Sequence, residues 1–203
     1  MNKWNQLVNK ESIDKAIKAL KANGIDAKFV ETANEAKKEV LSLIPEGAEV
    51  MNMTSVTLDT LGLPNELNES GKYNSIRNKL NAMDWATQSL EMQKMGAAPE
   101  WAVGSVHALT EDGHVLIVSN SGSQLPAYVY GAGHVIWVVG AQKIVKNTDE
   151  GIKRIYEYVL PLEDERAQKA YGVGSGVSKL LIINKEKTSG RITMIIVNEV
   201  LGF

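Results

Sequence analysis

Three clusters of hydroxyl, amide and basic side chains each follow a strand-like run, and each is built to meet an anion. The first is Met53-Thr54-Ser55-Val56-Thr57, directly after the short run Glu49–Met53. A strand-to-helix turn points backbone N–H groups and the positive end of the helix dipole at a bound anion, and the hydroxyls of Thr54, Ser55 and Thr57 add donors. The same residues serve equally well as helix N-caps. The second is Asn120-Ser121-Gly122-Ser123-Gln124, after the apolar run Val115–Ser119. Its small residues let backbone approach a ligand, and a helix start just beyond it favours a carboxylate or a phosphate. It is also richer in polar groups than capping alone requires. The third, Gly140-Ala-Gln142-Lys143, follows His134–Val139. In a parallel sheet it lies beside the second, where Lys143 can pair with an anionic ligand, although an exposed lysine after a strand is commonplace.

Thr110-Glu111-Asp112-Gly113 is a different kind of candidate. Asp-Gly is a common turn pair and needs no further explanation. Glu111 is a general base or a covalent nucleophile if it faces a cleft, and a solvated turn residue if it does not. Of the histidines, His107 is close enough in sequence to this turn to be a ligand-binding candidate, whereas His114 and His134 read as strand-edge residues. Their spacing fits no metal site, so no metal is expected. Gly172-Val-Gly174-Ser-Gly176 lacks the spacing of a phosphate-binding loop. Its glycines precede a strand rather than follow one, and it reads as a flexible loop.

Positioning these clusters takes alternating helices and strands. Ile13, Ala16, Ile17 and Leu20 recur at i, i+3, i+4 and i+7 within an expected first helix over Lys3–Ala22, stopped by Asn23-Gly24. Ala27–Glu31 is a strand. Thr32 and Glu35 have capping-box spacing before a second helix, and Glu49–Met53 is the next strand. Helix, strand, helix, strand with short connections favours a parallel sheet. Ser55–Leu61 is expected as a short helix, Leu63–Tyr73 as a loop and Asn74–Met95 as one helix with Ile76, Leu80, Met83, Leu90 and Met95 inward. Ala102–Ala108, Val115–Ser119 and His134–Val139 are strands, with Ser123–Tyr130 a short helix. Asp149–Val159, capped by Thr148, is a helix that Leu162–Ala170 extends. Leu180–Asn184 and Ile192–Asn198 close the fold. The fold class is thus α/β, a layered arrangement of a mostly parallel central sheet flanked by helices.

Composition narrows the function. With 203 residues and 44% apolar content the chain has the size and make-up of one globular domain, 1–203. A formal charge of −2 without a Lys/Arg cluster argues against nucleic acid as partner. The absence of cysteine excludes disulfides, thiolate catalysis and iron–sulfur clusters held by this chain. No run reaches the ~20 apolar residues of a membrane span, and Met1–Lys10 has no signal-peptide pattern. The expectation is a cytoplasmic protein with no membrane partner and no cofactor.

Val103-Gly-Ser-Val-His-Ala-Leu-Thr-Glu-Asp-Gly113, followed by Val118-Ser-Asn-Ser-Gly-Ser-Gln-Leu-Pro126, resembles the lactate-utilisation, or LUD, domain family. His134-Val-Ile-Trp-Val-Val-Gly140, Lys143-Ile-Val145, Arg191-Ile-Thr-Met-Ile-Ile-Val197 and the closing Leu201-Gly-Phe203 extend the resemblance over nearly the whole chain, most strongly from residue 101 onward. It implies a fold similar to sugar-phosphate isomerases and CoA-transferases, whose sites form from strand-end loops. Thr54, Ser55 and Thr57 then match a first ligand loop, and Ser105, Glu111 and Asn120–Gln124 the second and third. Some CoA-transferases use a glutamate before a glycine as nucleophile, which makes Glu111 the catalytic candidate. The resemblance further implies a setting in lactate oxidation beside partner proteins that carry iron–sulfur and flavin groups, and a homodimer suits the fold type. Many relatives hold a cysteine cluster in the C-terminal third, where this chain has Tyr171–Lys179 without cysteine. Two functions fit: an enzyme or enzyme subunit of organic-acid metabolism acting on a small anionic metabolite, or a non-catalytic ligand-binding or accessory module.

Overall fold

The computed structural model of the chain describes residues 2–203. Its main sheet is built from β1 (Asp26–Val30), β2 (Glu49–Asn52), β3 (Asn74–Ser75), β4 (Trp101–Gly104), β7 (His134–Gly140) and β10 (Ile192–Val197), in the order β1-β10-β7-β4-β2-β3, all parallel. Parallel strands covered on both faces read as continuous apolar runs, which is why His134-Val-Ile-Trp-Val-Val-Gly140 and Ile192–Val197 occupy its middle. Alternation sorts each strand onto two cores. Val135, Trp137 and Val139 face one with Met194 and Ile196, while Ile136 and Val138 face the other with Ile195 and Val197.

Helices cover both faces. α1 (Lys10–Ala22) packs Ile13, Ala16 and Leu20 into the first core. α2 (Ala33–Leu43), α3 (Val56–Thr60) and α4 (Leu63–Glu69) fill the second with Ala36, Val40, Leu58, Leu63 and Leu67. α5 (Ile76–Asn81) and α6 (Trp85–Ala97) follow β3. A second sheet of β5 (Ala108–Thr110), β6 (Val115–Ser119), β8 (Ile144–Val145) and β9 (Lys179–Ile183) runs in the order β8-β5-β6-β9. Its β5–β6 and β6–β9 pairs are antiparallel. Val115 and Ile117 of β6 join the first core, while Leu116 and Val118 pack beneath α7 (Thr148–Arg154), which runs through a π-helical turn at Ile155–Val159 into α8 (Leu160–Tyr171).

Several expected elements are redrawn. The strand expected over Ala102–Ala108 is two, β4 and β5, in different sheets, and the chain changes sheet at Ser105-Val106-His107. The helix expected over Asn74–Met95 is α5 and α6, because Asp84 accepts from the Ala86 N–H and restarts the helix after Ala82. Leu90 is then 64% exposed rather than inward. The loop expected over Leu63–Tyr73 contains α4, with Pro64 in its first turn and Leu63 and Leu67 one turn apart on the buried side. The first helix begins at Lys10, not Lys3, since Asn9 caps it through the Ser12 N–H. Asn147, not Thr148, caps α7. In place of the short helix at Ser123–Tyr130 there is a π-helical turn, Ala127–Gly131.

Candidate functional site

The carboxyl ends of β2, β4, β6 and β7 open on one cavity of about 950 Å³, roofed by α6, α8 and the Gly172–Ser178 loop. Ligands in open α/β sheets bind at this end of the strands. Thr54, Ser55 and Thr57 arrive from the end of β2, Ser105 and His107 from the break between β4 and β5, and Asn120–Gln124 from the end of β6; Lys143 arrives from the short helical turn after β7. All the residues expected to bind ligand therefore line one space.

Lys143 forms the floor. It is 2% exposed, not a surface lysine as the commonplace alternative had it. Its Nζ donates to Thr57 Oγ1 at 3.0 Å, Ser105 Oγ at 3.1 Å and Val106 O at 3.2 Å. Thr57 in turn donates to Leu201 O at 3.2 Å, and Gln142 Nε2 donates to the same carbonyl at 2.9 Å, so the C-terminal segment is clamped beside the cavity and Phe203 lines it. Behind the floor, Arg154 is fully buried and donates through Nη1 to His107 O at 2.5 Å. Its Nε and Nη2 have no hydrogen-bond partner among the described residues. Neither Lys143 nor Arg154 has an ion pair among the described residues.

That arrangement sets the protonation of the floor. Burial pushes the Lys143 ammonium well below the ordinary lysine range, and the charge of Arg154 pushes it the same way. Burial also lowers the Arg154 guanidinium to about 10. His107 is pushed down to about 3, first by burial and then by Lys143 and Arg154. Its Nδ1 accepts from the Val118 N–H at 3.1 Å, which leaves the neutral ring carrying its proton on Nε2 as a donor. The floor thus offers donors and positive potential with no resident carboxylate.

The Asn120–Gln124 loop is held rigidly. Ser119 Oγ donates to Gln124 Oε1 at 2.8 Å and accepts from the Gly122 N–H at 2.8 Å, with Gly122 at φ +88°. Ser178 donates to Asn120 Oδ1 at 2.8 Å, which ties the Gly-rich loop across the site. That loop was expected only as a flexible connection, and it lines the cavity. The rest of the lining includes the apolar side chains of Met51, Met53, Trp85, Met92 and Phe203. Two arginines also line the cavity: Arg166 pairs with Glu163 through two contacts of 2.7 Å, and Arg77 donates to Asn52 O at 2.7 Å.

Glu111 is placed elsewhere. Its carboxylate accepts from Ser12 Oγ at 2.6 Å, lies 3.7 Å from Lys15 Nζ, and faces a separate small pocket beside Trp4 and Gln6. The structure does not bring it to the cavity that the other candidates share. Arg154 went unnoticed in the sequence, yet a signal was present: it lies three residues after Gly151 and one before Ile155, all three buried, so a charge occupies the helix face that packs inward. Among the described residues no group of histidine and carboxylate side chains could hold a metal ion, and no helix is long and apolar enough to cross a membrane.

A solved structure of similar fold is that of a DUF162 family protein from Deinococcus radiodurans, with a TM-score of 0.58 over 95% of this chain and 99% of that one. The two sequences are 12% identical, so the likeness concerns the fold. No curated protein sequence matches the chain. The model of the LUD domain matches residues 13–202, from within α1 through both sheets and all the cavity-lining residues but Phe203. The chain belongs to the LUD domain family.

Proposed function

We propose that the cavity binds an organic anion of the metabolism that gives the LUD, or lactate-utilisation, domain its name, with the charged end of the ligand against Lys143 and His107. One observation carries this reading: two buried basic groups, Lys143 in the cavity floor and Arg154 behind it, have no carboxylate paired to either among the described residues. Buried basic groups in proteins are ordinarily paired, and a ligand anion supplies the partner that Lys143 lacks. The cavity's size supports a ligand larger than a three-carbon acid. At roughly 30 Å³ per water molecule, such an acid leaves most of the space empty. Hydroxy acids, sugar phosphates and acyl-CoA compounds share the required anionic group, and the lining side chains of Met51, Met53 and Trp85 suit those with an apolar portion.

Lys143, His107 and Ser105 would touch the ligand, and they are the groups available for proton transfer; Glu111 takes no part. A non-catalytic binding module would use the same cavity. The two are separated by turnover, not by binding.

Thermal unfolding with lactate, sugar phosphates and acyl-CoA compounds tests the anion site. A ligand at one hundred times its Kd stabilises a single site by about 2.7 kcal/mol, a rise of several degrees for a chain of this size. The rise is expected with at least one of these anions and should disappear in Lys143→Met. An equal rise in wild type and Lys143→Met would place the ligand elsewhere.

A further inference from the structure

We propose that Lys143 is a covalent site for carbonyl ligands: its amine condenses with the ketone or aldehyde group of a bound acid, and 2-oxo acids are the class that supplies both the carbonyl and the anion. The proposal rests on the anion-site reading and adds a bond to it.

An amine attacks a carbonyl only when it carries a lone pair, and proteins provide this by desolvating a lysine or setting a second cation beside it. Both conditions hold here. The Lys143 side chain is buried against the cavity floor. Val106 O accepts from Lys143 Nζ and the next carbonyl, His107 O, from Arg154 Nη1, and the charge of Arg154 acts on Lys143 to disfavour its protonated form. A lysine kept only for stability would be paired with a carboxylate at this depth. Lys143 instead meets two hydroxyls and a backbone carbonyl.

The hydrogen-bond pattern also fits a neutral amine. Val106 O can only accept. Thr57 Oγ1 spends its own proton on Leu201 O, so it accepts from Lys143 as well. These two contacts use both N–H groups of a neutral amine. The remaining partner, Ser105 Oγ, accepts from the charged amine at 3.1 Å and directs its own proton to Val106 O at 3.5 Å, a long contact that a hydroxyl can exchange for the lone pair of the neutral amine; Ser105 also faces the cavity. Lys143 and Ser105 line the cavity together, so the hydroxyl is placed to move a proton between nitrogen and oxygen. The Nε2–H of His107 is a second donor for the carbonyl oxygen.

The chemistry balances without an oxidant or a metal. The Nζ lone pair forms the new bond to the carbonyl carbon while a proton passes from nitrogen to the carbonyl oxygen, giving a carbinolamine. The second Nζ hydrogen then leaves with that hydroxyl as one molecule of water, and a C=N bond remains. Such a bond withdraws electrons from the neighbouring carbon, which suits proton removal or decarboxylation next to the original carbonyl.

Reductive trapping tests the proposal. The full chain is incubated separately with glyoxylate and pyruvate, the two simplest 2-oxo acids, in the presence of cyanoborohydride, and the peptides are mapped by mass spectrometry. The expected product is a reduced adduct on Lys143, with exposed Lys94 at background, competed away by lactate and lost in Lys143→Arg. Thermal shifts with the same two acids are read alongside. Stabilisation of the wild type with no adduct at Lys143 above the level at Lys94 would overturn the covalent proposal and leave the anion site standing. Neither stabilisation nor adduct with either acid would overturn the covalent proposal, and the anion site falls with it only if lactate, sugar phosphates and acyl-CoA compounds also leave the chain unstabilised. Trapping in the wild type is the primary readout, so the proposal stays testable if the variant fails to fold.

Discussion

Lys143 and His107 are both bases denied their charge by burial, and each makes pH dependence a usable probe. A bound anion favours the protonated amine at Lys143, so binding at a pH above the amine's depressed pKa requires proton uptake. Affinity for an anion without a carbonyl, such as lactate, is therefore expected to fall as pH rises, beginning well below the ordinary lysine value of 10.5. Titration calorimetry in buffers of different ionisation enthalpy checks this through the proton taken up. Affinity unchanged up to pH 10 would show that the amine does not meet the anion. His107 acts on stability instead. Its folded value of about 3 lies below the ordinary 6.5, so the unfolded chain takes up a proton that the folded chain refuses. The stability this contributes is complete above pH 6.5 and is lost as pH falls toward 3, at a limiting slope of about 1.4 kcal/mol per pH unit. Urea unfolding at pH 7, 5.5 and 4.5 should show that part of the loss in the wild type and its absence in His107→Gln. The residue types were legible in the sequence because hydroxyl and amide groups gather at strand ends. The burial of Lys143 was not, since a lysine after a strand looks the same whether it points outward or into a floor formed by Thr57, Ser105 and Val106.

The chain's passage between its two sheets shapes the site at the level of elements. β4 ends at Gly104, where a Cβ would come within 1.7 Å of the Tyr128 hydroxyl and 2.9 Å of its ring. Glycine is needed there for space, since Tyr128 is fully buried against Trp137 and Arg191 pins its carbonyl at 2.7 Å. Overpacking of this kind costs about 1–3 kcal/mol. Gly104→Ala should destabilise the fold by that amount in urea unfolding and displace Ser105, weakening anion binding; a variant with wild-type stability and affinity would show that Tyr128 yields freely. The strand expected over Ala102–Ala108 missed this passage because Val106 and Ala108 continue an apolar pattern across it, and apolar pattern does not say which sheet a residue joins. The helix expected over Asn74–Met95 failed for a related reason. Periodicity carried through Met83, but Asp84 restarts the helix, and α6 turns Trp85, Met92 and Ala97 toward an open cavity rather than a core.

Across the whole molecule, the class of fold was readable because β7 and β10 are so uniformly apolar that only a sheet covered on both faces can bury them. The second sheet was less visible, as β5 and β8 have only three and two residues and the β5–β8 and β6–β9 pairs join strands distant in sequence. Both sheets nonetheless feed the same core: Leu109, Val115 and Ile117 from one meet Val135, Trp137 and Met194 from the other. We therefore expect one cooperative unfolding transition, with calorimetric and van't Hoff enthalpies equal and far-ultraviolet circular dichroism coincident with tryptophan fluorescence. Two separated transitions would show that the smaller sheet unfolds alone. The ligand's charge belongs against the positive floor. A crystal structure grown with lactate, which has no carbonyl to trap, tests this most directly. The carboxylate is expected at about 3 Å from Lys143 Nζ, within reach of the His107 Nε2–H, with at least one of the amine's three present contacts replaced. Lactate paired instead with Arg77 or Arg166, the Thr57, Ser105 and Val106 contacts of Lys143 intact, would contradict this placement.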